Sequence, residues 1–169
     1  MVVLNPRVLL RRHIEATYFR FQLHNPKGGR VVELRSFDVG KVLFDMRLPR
    51  GYGLNPGVTS DGQQVFYTAS PADWQQVVRL DWTDARKYSL ARYNCTKFSW
   101  VFKAHAAEHF GLDCGWVKAK YHSWNIVIYP DLTWAWFEPQ NDLWIPKQAV
   151  EEHTLTDGIY TLENGVVQF

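Results

Sequence analysis

The stretch Tyr121-His122-Ser123-Trp124-Asn125-Ile126-Val127-Ile128-Tyr129-Pro130-Asp131-Leu132-Thr133-Trp134-Ala135-Trp136-Phe137-Glu138-Pro139-Gln140 decides the fold. Its two flanks are aromatic and β-branched, and Pro130-Asp131 between them has turn chemistry, so it reads as a hairpin. Side chains alternate along a strand, so His122, Trp124 and Ile126 share a face of their strand, as Trp134, Trp136 and Glu138 do of theirs. Pairing about residue 130 or 131 places His122 opposite or diagonal to Glu138, and directly opposed Cβ atoms would lie about 4.5–5.5 Å apart. A one-residue slip would separate them. A carboxylate beside an imidazole fixes its tautomer and favours its protonated form, which is the base-and-orienter half of a nucleophilic triad.

The candidate nucleophile lies upstream. Asn94 is a good helix N-cap, and Cys95 to Phe110 runs to a Gly111 stop. Cys95, Phe98, Phe102 and Ala106 share a face, so the helix packs through that face and presents Cys95 at its start. Backbone N–H groups and the helix dipole favour a thiolate there, and would also hold an oxyanion on a bound acyl group. Asn94 and Gln140 are candidate side-chain oxyanion donors.

Length and composition allow one domain with a sizeable core. Net charge is +2, which argues against a general nucleic-acid binder. The charge is uneven: residues 1–60 carry 10 Lys/Arg against 4 Asp/Glu, and the rest carries 9 against 13. A solvated basic surface is the simplest account. Two cysteines, Cys95 and Cys114, are too few for a disulfide framework. The start of the chain lacks the apolar run of a signal peptide, and no stretch approaches the roughly 20 apolar residues of a membrane span. The expected setting is the cytoplasm. The expected partner is a peptide or protein substrate, with no nucleic acid or membrane, and a homodimer is compatible with the sequence.

Along the chain, residues 7–23 read equally as helix or strand. Asn25-Pro26-Lys27-Gly28-Gly29 is a turn, and Arg30–Arg35, Lys41–Met46 and Gln64–Ala69 read as strands. The span 49–63 reads as a long loop. Ser70-Pro71-Ala72-Asp73 starts a helix carrying Trp74, Val77 and Val78. Cys114–Lys120 leads as a strand into the hairpin, and weaker strand signals lie near 158–162 and 164–169. The whole is expected to be a single α+β domain, 1–169. It divides into a β-rich N-terminal extension (1–88), a catalytic core (90–145) and C-terminal strands (146–169).

His122-Ser123-Trp124, followed by Trp134-Ala135-Trp136-Phe137-Glu138-Pro139, resembles the transglutaminase-like core, and Asn94-Cys95-Thr96-Lys97-Phe98 resembles that family's Cys at the start of its central helix. The acid is Glu138 where the family has Asp. A Cys–His–Glu set followed by Pro-Gln is also similar to the papain-like C-terminal domain of mushroom agglutinins related to the Marasmius oreades lectin. The resemblance covers about residues 90–145 and implies a papain/transglutaminase-like fold: a Cys-bearing central helix on an antiparallel sheet. It implies a cysteine peptidase or isopeptidase working through a thioester, with catalytic residues Cys95, His122 and Glu138. It also implies a divalent cation such as Ca²⁺, for which Asp131, Asn141 and Asp142 are the nearest oxygen donors.

Each residue alone has a plainer account. A lone Cys is usually a small buried apolar group, a strand His is usually satisfied by neighbours, and Glu138 alone would be a surface acid. Their order and spacing favour the catalytic reading. Two alternatives stand beside it. One is a catalytically silent binding module of the same fold. The other is a zinc hydrolase built on His105-Ala106-Ala107-Glu108-His109, a His-x-x-Glu-His motif. There His105 and His109 would bind Zn²⁺, Glu108 would act as base, and a third ligand would come from Glu151, Glu152 or His153.

Overall fold

The computed structural model describes residues 6–46, 53–55, 65–147, 150, 160 and 166–169, with residues 53–55 described by their backbone alone. The expected loop at 49–63, the zinc donors Glu151, Glu152 and His153, and the weaker strand signal near 158–162 lie largely or wholly outside these residues. No helix among the described residues is long and apolar enough to cross a membrane.

Residues 7–23 resolve as helix α1, Pro6–Leu23. Ala16, Phe19 and Leu23 are buried, while Leu10, Ile14, Tyr18 and Phe21 are exposed. At 3.6 residues per turn these two apolar sets lie on opposite sides of the helix, so neither period stands out in the sequence. Strand β1 (Val32–Arg35) follows and pairs antiparallel with β3 (Val65–Thr68). Between them lie helix α2 (Ser36–Asp45) and β2 (Gly53–Asn55). The strand expected at Lys41–Met46 is therefore corrected. Val39, Val42 and Leu43 sit at helical spacing and are buried, and Asp38 accepts a hydrogen bond from the Arg35 backbone N–H at 3.2 Å, tying down the first turn. Among the described residues of 1–88, helix outweighs strand, and the expectation of a β-rich extension is corrected with it.

Helix α3 (Pro71–Leu80) begins as its sequence demands. Ser70 Oγ accepts from the Asp73 N–H and donates to Asp73 Oδ2, with Pro71 in the first turn. Trp74, Val77 and Val78 are buried. Helix α4 (Cys95–His105) continues as a π-helical turn, Ala106–Phe110, and stops at Gly111, whose φ of 65° suits the left-handed cap. A side chain at Gly111 would also press on His24 Nε2.

The main sheet has the order β2-β8-β4-β5-β6-β7, with β4 Gly115–Lys118, β5 Ser123–Ile128, β6 Trp134–Glu138, β7 Leu143–Ile145 and β8 Val166–Gln168. Pairing is antiparallel from β8 to β7, and β2 joins β8 in parallel. The hairpin register matches Ile126 with Trp136 and Ile128 with Trp134, a centre at residue 131. That centre lies within the expected range.

Each face of the sheet covers its own apolar core. One core holds Trp124, Ile126, Ile128, Trp136, Val117 and Tyr160 with Val39, Val42 and Leu43 of α2. The other holds Val127 and Phe137 with Phe102, Ala106 and Phe110 of the α4 segment, Trp74 and Val77 of α3, and Phe19 and Leu23 of α1. A Cys-bearing helix thus lies on a largely antiparallel sheet, as expected.

Candidate active site

Asn94 leaves extended backbone to start α4. Its Oδ1 accepts from the Lys97 N–H at 3.4 Å and its Nδ2 donates to the Leu90 carbonyl at 3.3 Å. Both ends of the amide thus take part in the cap. Cys95 follows as the first helical residue and is half-buried. Thr96 Oγ1 meets Ser123 Oγ at 3.2 Å, which pins the first turn of α4 to the start of β5.

His122 immediately precedes that strand. Ser123 turns toward α4, so by alternation His122 turns to the opposite face, where Trp124 stacks at 6.0 Å between ring centroids and Tyr160 meets it edge-on at 5.1 Å. Extending the hairpin register sets Glu138 opposite Trp124, so His122 meets Glu138 diagonally. His122 Nε2 hydrogen-bonds Glu138 Oε2, and both residues are buried. A carboxylate only accepts, so Nε2 carries the proton and Nδ1 is left to face the thiol.

The thiol and the imidazole lie close enough to shift each other's titration. Burial pushes the Cys95 thiol up, but the hydrogen bond and charge of His122, the Ser123 backbone N–H and the more distant Lys118 outweigh it and hold it below the ordinary thiol value. Burial alone would lower His122. Its hydrogen bonds to Cys95 and Glu138, with their charges, push it up to about 9. Both shifts act in the direction of a thiolate–imidazolium pair. Cys114 is the contrasting case. It is fully buried on the helix side of the sheet and pushed up to about 12.

Two further groups complete the carboxylate's surroundings. The Gln140 backbone N–H donates to Glu138 Oε1 at 3.1 Å, and Tyr160 Oη donates to Glu138 Oε2 at 3.1 Å. Gln140 therefore contributes its backbone N–H to holding the acid. Tyr160 was not legible as a site residue, being 22 positions past Glu138 with no motif around it.

The cation that the resemblance implies does not fit the expected donors. Asp131 lies in the β5–β6 turn, where its Oδ1 accepts from the Thr133 N–H at 2.9 Å and from Thr133 Oγ1 at 2.6 Å. Asn141 and Asp142 lie past the other end of β6, about 17 Å away by strand rise alone. One ion cannot take all three. Among the described residues no group of three or more His, Cys, Asp and Glu side chains is placed to hold a metal ion.

The His-x-x-Glu-His segment has structural partners. His105 Nδ1 donates to Asp81 Oδ1 at 2.8 Å, and Trp82 packs against the rings of both His105 and His109, with centroids 5.0 and 4.9 Å away. Glu108 is exposed, and its carbonyl accepts from Arg20 of α1. This end of the helix docks the ends of α1 and α3, a full helix length from Cys95.

Neither a family model nor a curated protein matches the chain. Solved structures do. Polyporus squamosus lectin bound to the human-type influenza-binding epitope Neu5Aca2-6Galb1-4GlcNAc is 18% identical with a TM-score of 0.55, over 70% of this chain and 46% of that one. A PSL1a–E64 complex is 16% identical with a TM-score of 0.56, over 79% of this chain and 51% of that one. The fold is papain-like. The chain spans about half the length of these related structures, and its likeness to them is one of fold.

Proposed function

We propose that the chain is a cysteine hydrolase of peptide or isopeptide bonds, with Cys95 as nucleophile, His122 as acid–base and Glu138 as the group that orients His122. The observation that carries this reading is the meeting of a lowered thiol, a raised imidazole and a buried carboxylate at the start of a helix. The papain-like fold and the E64 complex of a structural relative support it.

In the proposed cycle His122 Nδ1 takes the thiol proton. The thiolate attacks the amide carbon, and the carbonyl oxygen becomes an oxyanion near the backbone N–H groups at the start of α4. The tetrahedral species collapses to a thioester as His122 returns the proton to the departing amine. Water then loses a proton to His122 and attacks the thioester, releasing the acid and regenerating the thiol. An amine in place of water would give transfer instead of hydrolysis.

The test is iodoacetamide labelling of Cys95 with and without E64, beside release from fluorogenic peptide and isopeptide substrates. Protection by E64, with turnover abolished in Cys95→Ser, is expected. Labelling at the rate of an ordinary thiol, with no protection and no turnover, would instead mark the chain as a silent module of this fold.

A further inference from the structure

Tyr160 has no role in the steps above, yet it makes the most specific side-chain contact to the site from outside the hairpin. It is buried, and its hydroxyl donates to Oε2 of Glu138, the same oxygen that takes His122 Nε2. Its ring meets His122 edge-on at 5.1 Å and Trp124 edge-on at 5.5 Å, and Trp124 in turn stacks on the imidazole at 6.0 Å, so the three rings form one mutual cluster. Carboxylate and imidazole are thereby gripped from one side chain, one through a hydrogen bond and the other through ring contact.

From this arrangement we infer that Tyr160 is a positioning residue, holding the Glu138 carboxylate and the His122 ring in the one orientation that aims Nδ1 at Cys95. This rests on the proposed triad. The physical reason is a counting of constraints. Without the Tyr160 hydroxyl the carboxylate keeps the Gln140 N–H on Oε1 and His122 on Oε2, but loses the third bond that restrains its rotation. A buried carboxylate short of a donor is also a less well-oriented partner for the imidazole. Burial and the Glu138 charge raise the Tyr160 phenol, so it remains a donor throughout the working pH range.

Tyr160→Phe tests this, since it keeps the ring and removes only the hydroxyl. The readout is the pH profile of Cys95 alkylation by iodoacetamide, which needs no known substrate and which a merely structural residue would not move. The wild type is expected to keep a reactive thiolate well below the ordinary thiol range. In Tyr160→Phe the rate at pH 6 is expected to fall about 3–10-fold, the equivalent of roughly half to one pKa unit, with the alkaline limb moving down. A Phe profile that superposes on the wild type, or moves upward, overturns the inference. So does a normal profile in Phe with a disturbed one in Tyr160→Leu, which would assign Tyr160 to packing alone. Glu138→Gln separates the two claims. If it leaves the profile unchanged the triad itself fails, whereas a shift in Glu138→Gln without one in Tyr160→Phe fails Tyr160 only.

Discussion

Asn125 Nδ2 donates to the carbonyl of Ser99 at 3.0 Å, a buried hydrogen bond from the middle of β5 to the second turn of α4. Asn125 lies three residues past His122, and Ser99 lies one turn past Cys95. The same amide also reaches the Gly115 carbonyl at 3.2 Å. Together with the Thr96–Ser123 contact, this side chain holds the helix at its height above the strand that follows the imidazole.

Replacing Asn125 by Leu leaves two buried carbonyls short of a donor. The expected cost is about 1–3 kcal/mol, read from chemical denaturation. Cys95 alkylation at neutral pH should slow as well, because the helix is no longer tied at that height. A variant that is destabilised but alkylates normally would show that the tie serves the fold alone.

The two thiols should part company under alkylation. Cys95 is half-buried with a lowered pKa, and Cys114 is sealed and pushed up to about 12. At pH 7, peptide mapping after brief iodoacetamide treatment should find Cys95 modified at least tenfold faster. In His122→Ala the Cys95 rate should drop by about tenfold for each pKa unit regained.

Stability should depend on pH through His122. Its folded pKa, raised from 6.5 to about 9, means the folded state holds the proton more tightly. The stabilisation is complete below pH 6.5, declines as pH rises from there, and is gone above about 9. The wild type should lose on the order of 1–3 kcal/mol between pH 6 and 9.5 relative to His122→Phe. Parallel losses in both proteins would contradict this origin.

Asp142 works in the opposite sense. Burial first, then the nearby Asp84 and Asp81, push it up from 3.8 to about 7 against the pull of Arg12. An acid raised on folding destabilises the fold as pH climbs from 3.8 to 7, with the full penalty above 7. The side chain is partly open to solvent, so the gain from Asp142→Asn is discounted to about 1 kcal/mol at pH 8, with none at pH 4. Asn also tolerates the φ of 55° at this position. Equal melting temperatures of the two proteins at pH 8 would refute it.

The parts legible in the sequence were those with local chemistry. Asn94 before an apolar helical face, Ser70-Pro71 before another, and the alternating hairpin around Pro130-Asp131 each carry their own signal, and the structure places all three as read. Helix α2 was missed because the run Val42-Leu43-Phe44 looks like a strand core. Only Val39 with Val42 and Leu43, behind Asp38, reveals the helical period. Strand β7 is three residues long, too short for a period to show. Tyr160 was out of reach for a different reason. A hydrogen bond to a carboxylate 22 positions earlier is a fact of tertiary structure and leaves no trace in local spacing.

His122 and Glu138 belong to the α2 side of the sheet, while Cys95 rides on the helix that covers the other side; they meet only around the end of β5. A chain that has laid down just one of its two apolar layers would own either an ordinary thiol or an ordinary histidine. On the proposed reading, chemical competence is therefore the last property to arrive during folding and the first to go on partial unfolding. A newly made chain would stay harmless to its neighbours until both sides of the sheet had closed.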